Sequence, residues 1–172
     1  LVVIDNLRMD QWRMIEPLLL NRFRVARSEP YFSMLPTATQ YARNALFAGM
    51  TPAEISRVFP QYWVDEDEEG SKNKHEAALF EQLLKRLDFK GKSGYHKVTN
   101  LAAGKKLVEQ FHQTKQNDIT AVVYNFVDML SHARTEMEVL KELAGDDAAY
   151  RSLTLSWFEH SALKELLDQM AD

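Results

Sequence analysis

Two apolar runs that each end in an aspartate constrain the fold of this chain more than any other feature. The first is "LVVID" at residues 1–5, and the second is "DITAVVYNFVD" at residues 118–128. Continuous runs rich in Val, Ile and aromatic residues are typical of strands that are buried on both faces. Strands that alternate with helical patterns predict an α/β fold, with a mostly parallel sheet covered by helices on both faces.

Apolar residues three and four positions apart predict most of the helices. Pro17 is expected to end or kink the first helix, and Gly49 to stop the second. The start of a third helix is predicted by Thr51 as N-cap, Pro52 in the first turn and Glu54 three residues after the cap. The predicted helices lie within residues 6–23, 38–49, 51–59, 75–87, 102–114 and, as one long final helix, 151–170, and two further strands within 24–37 and 94–99.

Residues 60–74 combine charge, Gly and Ser, and they predict an exposed insertion. The acidic run at 65–69 lacks the alternating ligand spacing of a calcium loop, so a solvated loop is favoured. Tyr62 and Trp63 fit either the core or a platform that stacks a base, and the core is favoured. Three histidines are expected to face solvent and a fourth to pack in the core: His75, His96 and His112, and His160.

The composition excludes several classes of protein. The chain has 172 residues, of which 45% are hydrophobic and 27% charged, which is typical of one soluble globular domain. No apolar run approaches the roughly 18 residues of a membrane span. The chain has no cysteine, so a metal would be bound by oxygen and imidazole, and a cytoplasmic location is expected. The net charge of -4 argues against nucleic-acid binding through phosphate contacts alone.

Both ends of the chain predict that it is an excerpt of a larger protein. It begins without Met, on what reads as a buried strand. The last residues, "SALKELLDQMAD", form an amphipathic pattern whose apolar side needs a partner. We therefore expect further sequence on both sides of residues 1–172.

Polar side chains at strand ends predict a metal site. The carboxyl ends of parallel strands meet at one edge of a sheet, where ligands collect, so Asp5 and Asp128 should face the same crevice. His132 follows Asp128 by four residues, the spacing of neighbours on one helical face. Oxygen and imidazole ligands suit zinc or manganese. Thr39 begins a helix, where backbone N–H groups favour a phosphate, and it is the candidate nucleophile, with Thr37 as the alternative.

These motifs resemble the alkaline phosphatase superfamily. They comprise an Asp after the first strand, a "PTAT" turn that opens a helix ending in Gly, and a later "DMLSH". The sequence segments "VVIDNLRMDQW", "LPTATQYARNALFAGM" and "NFVDMLSHAR" are most similar to the PglZ domain, especially that of PorX-like response regulators. The resemblance covers nearly all of the chain and implies an alkaline-phosphatase-like core that is only partly present.

The resemblance implies a single PglZ-like domain that uses two zinc ions. Asp5 and Thr39 would bind one ion, and Asp128 and His132 the other, while Thr39 attacks phosphorus. The remaining ligands would lie beyond Asp172 and a receiver region before Leu1, so this chain alone should be inactive and hold zinc weakly. The implied activity is hydrolysis of nucleotide or oligonucleotide phosphodiesters. The implied setting is the output domain of a two-component response regulator linked to type IX secretion.

One departure from the family pattern concerns the phosphate contact. Phosphodiesterases of the superfamily carry an Asn where this chain has Ala42. Arg43, Asn6 or Arg8 is expected to replace that contact to a phosphate oxygen. The alternative function is a non-catalytic regulatory module that acts through homodimerisation or through a partner such as a sigma factor.

Overall fold

The computed structural model describes residues 1–64 and 71–172, and the acidic run predicted to form a solvated loop lies outside them. The chain divides into two compact units. The first unit comprises Leu1–Ser28 and Gly94–Asp172, and the second comprises Glu29–Ser93. The single-domain organisation stays a prediction.

The first unit is built on a small parallel sheet of three strands. The strands are β1 (Val2–Ile4), β2 (Ser93–Val98) and β3 (Ile119–Tyr124), in the order β1-β3-β2. β1 pairs with β3 so that Val2 lies opposite Val122 and Ile4 opposite Tyr124. The central strand β3 is buried along its second half, as its unbroken apolar sequence predicts. The α/β fold class is therefore confirmed.

Helices make up most of the rest of the described chain. They are α1 (Met9–Leu19), α2 (Thr39–Ala48), α3 (Pro52–Val58), α4 (Glu76–Arg86), α5 (Leu101–Glu109), α6 (Phe111–Thr114), α7 (Phe126–Glu136), α8 (Glu138–Leu143), α9 (Asp147–Glu159) and α10 (Ala162–Ala171). In the first unit α1 packs on α9 and α5 on α10, around the core residues Ile15, Val98, Leu107, Tyr124, Phe158 and Leu163. No helix among the described residues has the length and apolarity to cross a bilayer.

Three sequence predictions about the first unit and its boundary are wrong. Residues 24–37 contain no strand, and Pro30 and Pro36 in this segment cannot donate a backbone hydrogen bond. β3 ends at Tyr124, four residues before Asp128, and the chain enters α7. The predicted final helix is two helices, α9 and α10, because Ser161 interrupts it. The Ser161 hydroxyl donates to the Phe158 carbonyl at 2.8 Å and accepts from the Lys164 N–H at 3.1 Å.

The second unit is helical, and its core lies between α2 and α4. The Phe47 and Phe80 rings meet edge to face, with centroids 6.0 Å apart. Gly49 ends α2 with a φ of 57°, a left-handed conformation that favours glycine, as predicted. Val64 is buried, so the predicted exposure of residues 60–74 is wrong at this position.

The start of α3 offers a test of helix capping. The Thr51 hydroxyl accepts from the Glu54 N–H at 3.3 Å, and the Glu54 carboxylate accepts from the Thr51 N–H at 2.8 Å. Replacing Thr51 with Ala should lower the free energy of unfolding by about 1 kcal/mol, measured by urea denaturation. Ser56→Ala, at an exposed position within the same helix, should change it by less than about 0.5 kcal/mol. Equal effects of the two substitutions would refute the capping role.

Candidate functional site

Asp128 and His132 lie together in the first two turns of α7, directly after the central strand. Their four-residue spacing brings the His132 Nε2 atom to 3.7 Å from Asp128 Oδ1. Asp128 is 23% exposed at its side chain and His132 68% exposed, so both are accessible to a solute. The separation is too long for a hydrogen bond, but it suits two donors that bind the same ion.

Asp5 comes from the neighbouring strand at the same edge of the sheet. Its backbone N–H donates to the Tyr124 carbonyl at 2.9 Å, which continues the β1–β3 ladder by one residue. Asp5 therefore lies at the carboxyl end of β1, beside the carboxyl end of β3 from which α7 starts. The parallel pairing predicted from the two apolar runs thus brings the backbones of Asp5 and of the α7 entrance to one sheet edge.

The donor chemistry of these residues fits part of a zinc site. Carboxylate oxygen and imidazole nitrogen are zinc ligands, and Asp128 with His132 would supply two of the four that zinc usually takes. Within the described ranges 1–64 and 71–172, no group of three or more His, Asp or Glu side chains is arranged to hold a metal ion. The residues therefore fit as an incomplete ligand set.

Thr39 belongs to the second unit, where it is the first residue of α2. It follows the N-cap position, which is Ala38, so Thr39 is not itself the N-cap. The Thr39 side chain is partly buried and Thr37 is exposed. The Thr39 backbone carbonyl accepts from the Asn73 side chain at 3.1 Å, which anchors the start of the helix. The convergence of Thr39 with Asp5 and Asp128 stays a prediction.

Arg43 is committed to an ion pair inside the second unit. Its Nε and Nη2 atoms donate to the two carboxylate oxygens of Glu76, the second at 3.1 Å. The Arg43 side chain is 5% exposed and that of Glu76 is 1% exposed. A bidentate, buried pair of this kind occupies the Nε–Nη2 edge of the guanidinium, which is one of the edges through which an arginine binds a phosphate. The geometry therefore disfavours Arg43 as the phosphate contact, although that assignment stays a prediction.

Arg8 and Asn6 lie beside the carboxyl end of β1, and they differ in availability. Arg8 donates to Asp10 at 2.6 and 2.9 Å and to Asp147 at 3.1 Å. These carboxylates raise the pKa of Arg8 above its ordinary value. Asn6 is exposed and has a φ of 58°, a left-handed conformation that Asn tolerates. Of these two residues, Asn6 is better placed to meet an incoming ligand.

A family model described as the BREX system PglZ alkaline phosphatase-like domain matches residues 1–172. This chain belongs to the PglZ family. No curated protein matches the chain. The family match confirms the predicted resemblance to the PglZ domain. The special likeness to PorX-like response regulators stays a prediction.

The carboxylate cluster around Arg8 gives this PglZ domain a pH-dependent contact. Hydrogen bonds from Arg8 and then Arg151 lower the pKa of Asp10 from its ordinary 3.8 to about 2. A lowered pKa in the folded state contributes stability above pH 3.8 that is lost as the pH falls toward 2. Asp10→Asn should therefore flatten the fall of the melting temperature between these pH values. Glu165→Gln, on an exposed site of α10, is the control, and equal slopes in both variants would contradict the prediction.

The burial of most histidines in this PglZ domain differs from the sequence prediction. His160 is exposed, so its predicted core packing is wrong. His75 and His96 are half-buried and not solvent-facing, and burial lowers the pKa of His96. His112 is exposed, as predicted. Tyr62 and Trp63 are half-buried, a placement between the two alternatives.

Two buried polar residues of the second unit have no local signal in the sequence. Asn73, in the stretch predicted to be exposed, donates to Thr39 and Asn44 at 3.1 Å each. Glu76 reads as an ordinary first-turn acid of α4, yet it binds Arg43 in the core. The burial of both residues could not be predicted from the polar residues around them, because it depends on contacts with residues distant in sequence.

Proposed function

We propose that this PglZ domain is the catalytic core of a zinc-dependent phosphohydrolase that acts on nucleotide or oligonucleotide phosphodiesters. The observation that carries the proposal is the approach of His132 and Asp128 at 3.7 Å beside the carboxyl end of β3. Asp5 ends the neighbouring strand, and ligands of open parallel sheets collect at such strand ends. The alkaline-phosphatase-like family match supports the same reaction class.

Each residue has a distinct role in this proposal. Bound zinc would polarise a phosphoryl oxygen and favour the alkoxide form of a nearby hydroxyl. Asp128 and His132 would hold one ion, and Asp5 with Thr39 the other. The Thr39 oxygen attacks phosphorus, the alcohol leaves, and water then hydrolyses the phosphothreonine ester. Asn6 is the preferred contact to a phosphate oxygen, because Arg43 and Arg8 are already paired with carboxylates.

The wider setting of the domain rests on the resemblance alone. It comprises a cytoplasmic response regulator of the PorX-like type that is linked to type IX secretion. Assays therefore use the full-length protein. The nucleotide or oligonucleotide class of substrate is part of the same proposal.

Zinc content and turnover of His132→Ala test the proposal. Full-length protein should hydrolyse bis(p-nitrophenyl) phosphate, and a chelator should abolish this turnover until zinc is restored. Loss of the His132 imidazole should weaken zinc binding by about tenfold or more and lower turnover with it. His112→Ala removes an exposed histidine on α6 and should leave both unchanged. Unaltered zinc affinity in His132→Ala would refute the ligand assignment.

A non-catalytic regulatory module is the second candidate. It is favoured by the commitment of Arg43 to Glu76 and of Arg8 to Asp10, together with Ala42 at the position of the family's phosphate-binding Asn. Such a module would act by homodimerisation or by binding a partner such as a sigma factor. It predicts that full-length protein purifies without zinc and gains no phosphodiesterase activity when zinc is added.

A further inference from the structure

A cavity of about 370 Å³ lies in the first unit at the carboxyl ends of β2 and β3. Its wall includes Val98, Tyr124, Phe126, Met129 and Trp157. The volume falls within the roughly 300–1,000 Å³ of pockets that bind small molecules. Its position matches the strand ends where ligands of parallel sheets collect. None of the residues proposed for zinc or phosphate lines it.

Two stacked aromatic residues line the cavity. The rings of Phe126, at the start of α7, and Trp157, in α9, stack with centroids 4.4 Å apart and an interplanar angle of 5°. Both residues line the cavity. An aromatic lining of this kind favours a planar π-system over an aliphatic group of similar size, because aromatic rings attract one another through stacked and edge-to-face contacts.

Tyr124 provides a polar group that the protein itself leaves unsatisfied. The residue is 2% exposed and lines the cavity. Among the described residues, the Tyr124 hydroxyl is the buried side-chain group that has no hydrogen-bond partner. Burial raises the pKa of Tyr124 to about 12, so the hydroxyl keeps its proton and can donate it. A buried, unpaired hydroxyl is unfavourable, and a ligand acceptor atom would relieve that cost.

We propose that this cavity binds a planar heteroaromatic ring, such as a nucleobase, with the Tyr124 hydroxyl donating to a ring acceptor and the Phe126–Trp157 pair contacting the ring. Asp128 lies between Phe126 and Met129 in the first turn of α7, so the ring site adjoins the candidate zinc ligands along one helix. The assignment of this ring to the phosphodiester substrate rests on the proposed function. The binding of the ring does not.

Adenosine, which has no phosphate, is the probe for the ring site. Its affinity for the full-length protein is measured by isothermal titration calorimetry. Tyr124→Phe keeps the ring of the side chain and removes only the unpaired hydroxyl, so the protein should fold and bind adenosine roughly 3- to 10-fold more weakly. Tyr150→Phe, a buried tyrosine of the same unit outside the cavity, should bind as the unsubstituted protein does. Trp157→Leu should weaken binding roughly 5- to 100-fold.

The outcomes separate the ring site from the hydrolase. The ring site is overturned if adenosine fails to bind, if Tyr124→Phe binds it unchanged, or if cyclohexanol binds as tightly as adenosine. Turnover of bis(p-nitrophenyl) phosphate without adenosine binding would reject the ring site and keep the hydrolase. Adenosine binding that Tyr124→Phe weakens, in a protein without turnover or zinc, would support the ring site and reject the hydrolase.

Discussion

Glu76→Ala is expected to destabilise the protein by about 3–5 kcal/mol, the cost of leaving one member of a buried ion pair without its partner. Arg43 is 5% exposed and Glu76 1% exposed, so water cannot solvate the guanidinium that remains. The loss would be measured by urea denaturation followed by circular dichroism. In a typical domain this is a large part of the total stability.

Two matched variants show whether the pair itself causes this effect. Glu81→Ala removes a carboxylate from an exposed site of the same helix, α4, and should cost less than about 0.5 kcal/mol. The double variant Arg43→Met with Glu76→Leu replaces both charges by apolar groups and should regain most of the lost stability. A double variant no more stable than Glu76→Ala would show that the unpaired guanidinium is not the source of the loss. If the double variant kept turnover, Arg43 would not be required as a phosphate contact.

The fold class could be predicted because strands buried on both faces have a distinctive composition. Val122 and Val123 are 5% and 0% exposed, and their apolar run needs no tertiary information to be recognised. The end of β3 could not be predicted in the same way. Val127 is 0% exposed in a helix, and a fully buried helical turn has the same apolar composition as a buried strand. A helix can be told from a buried strand by its sequence only where polar residues at helical spacing interrupt the apolar run.

The break between α9 and α10 has a local cause that single-sequence periodicity overlooks. Apolar positions continue at helical spacing through residues 151–170. Ser161 nevertheless serves as the N-cap of α10, accepting from the Lys164 N–H at 3.1 Å. Serine is neutral to unfavourable within a helix and strongly favoured as a cap, so the competing signal was present in the residue type.

The candidate site shows the same division between local and distant causes. The approach of Asp128 and His132 follows from helical spacing alone, and the sequence predicts it. The Arg43–Glu76 pair joins residues that are 33 positions apart, and the Tyr124 cavity joins β3 with α7 and α9. Neither has a sequence signature, because both depend on which elements pack together. The pairing with Glu76 disfavours Arg43 as the expected phosphate contact, and the sequence alone does not reveal that pairing.

Replacing Thr39 with Ala should abolish phosphodiester hydrolysis in the full-length protein, with a loss of about 10³-fold or more in kcat. The expectation follows from the proposed role of the Thr39 hydroxyl as nucleophile at the start of α2, where backbone N–H groups and the helix dipole favour an alkoxide and a phosphate. Turnover would be measured with bis(p-nitrophenyl) phosphate, and zinc content by atomic absorption. The zinc ion proposed for Asp128 and His132 should remain bound, since both of its ligands are unchanged.

Thr39→Ser and Thr37→Ala separate the lost hydroxyl from a disturbed helix. Serine keeps a hydroxyl at the first position of α2, so Thr39→Ser should retain turnover within about tenfold of the unsubstituted protein. Thr37 is exposed and precedes the helix, and Thr37→Ala should leave kcat unchanged. If Thr37→Ala lost turnover while Thr39→Ala kept it, the nucleophile would be Thr37. Full turnover in both alanine variants would exclude either threonine as nucleophile and leave Asp128 and His132 with a metal-binding role only.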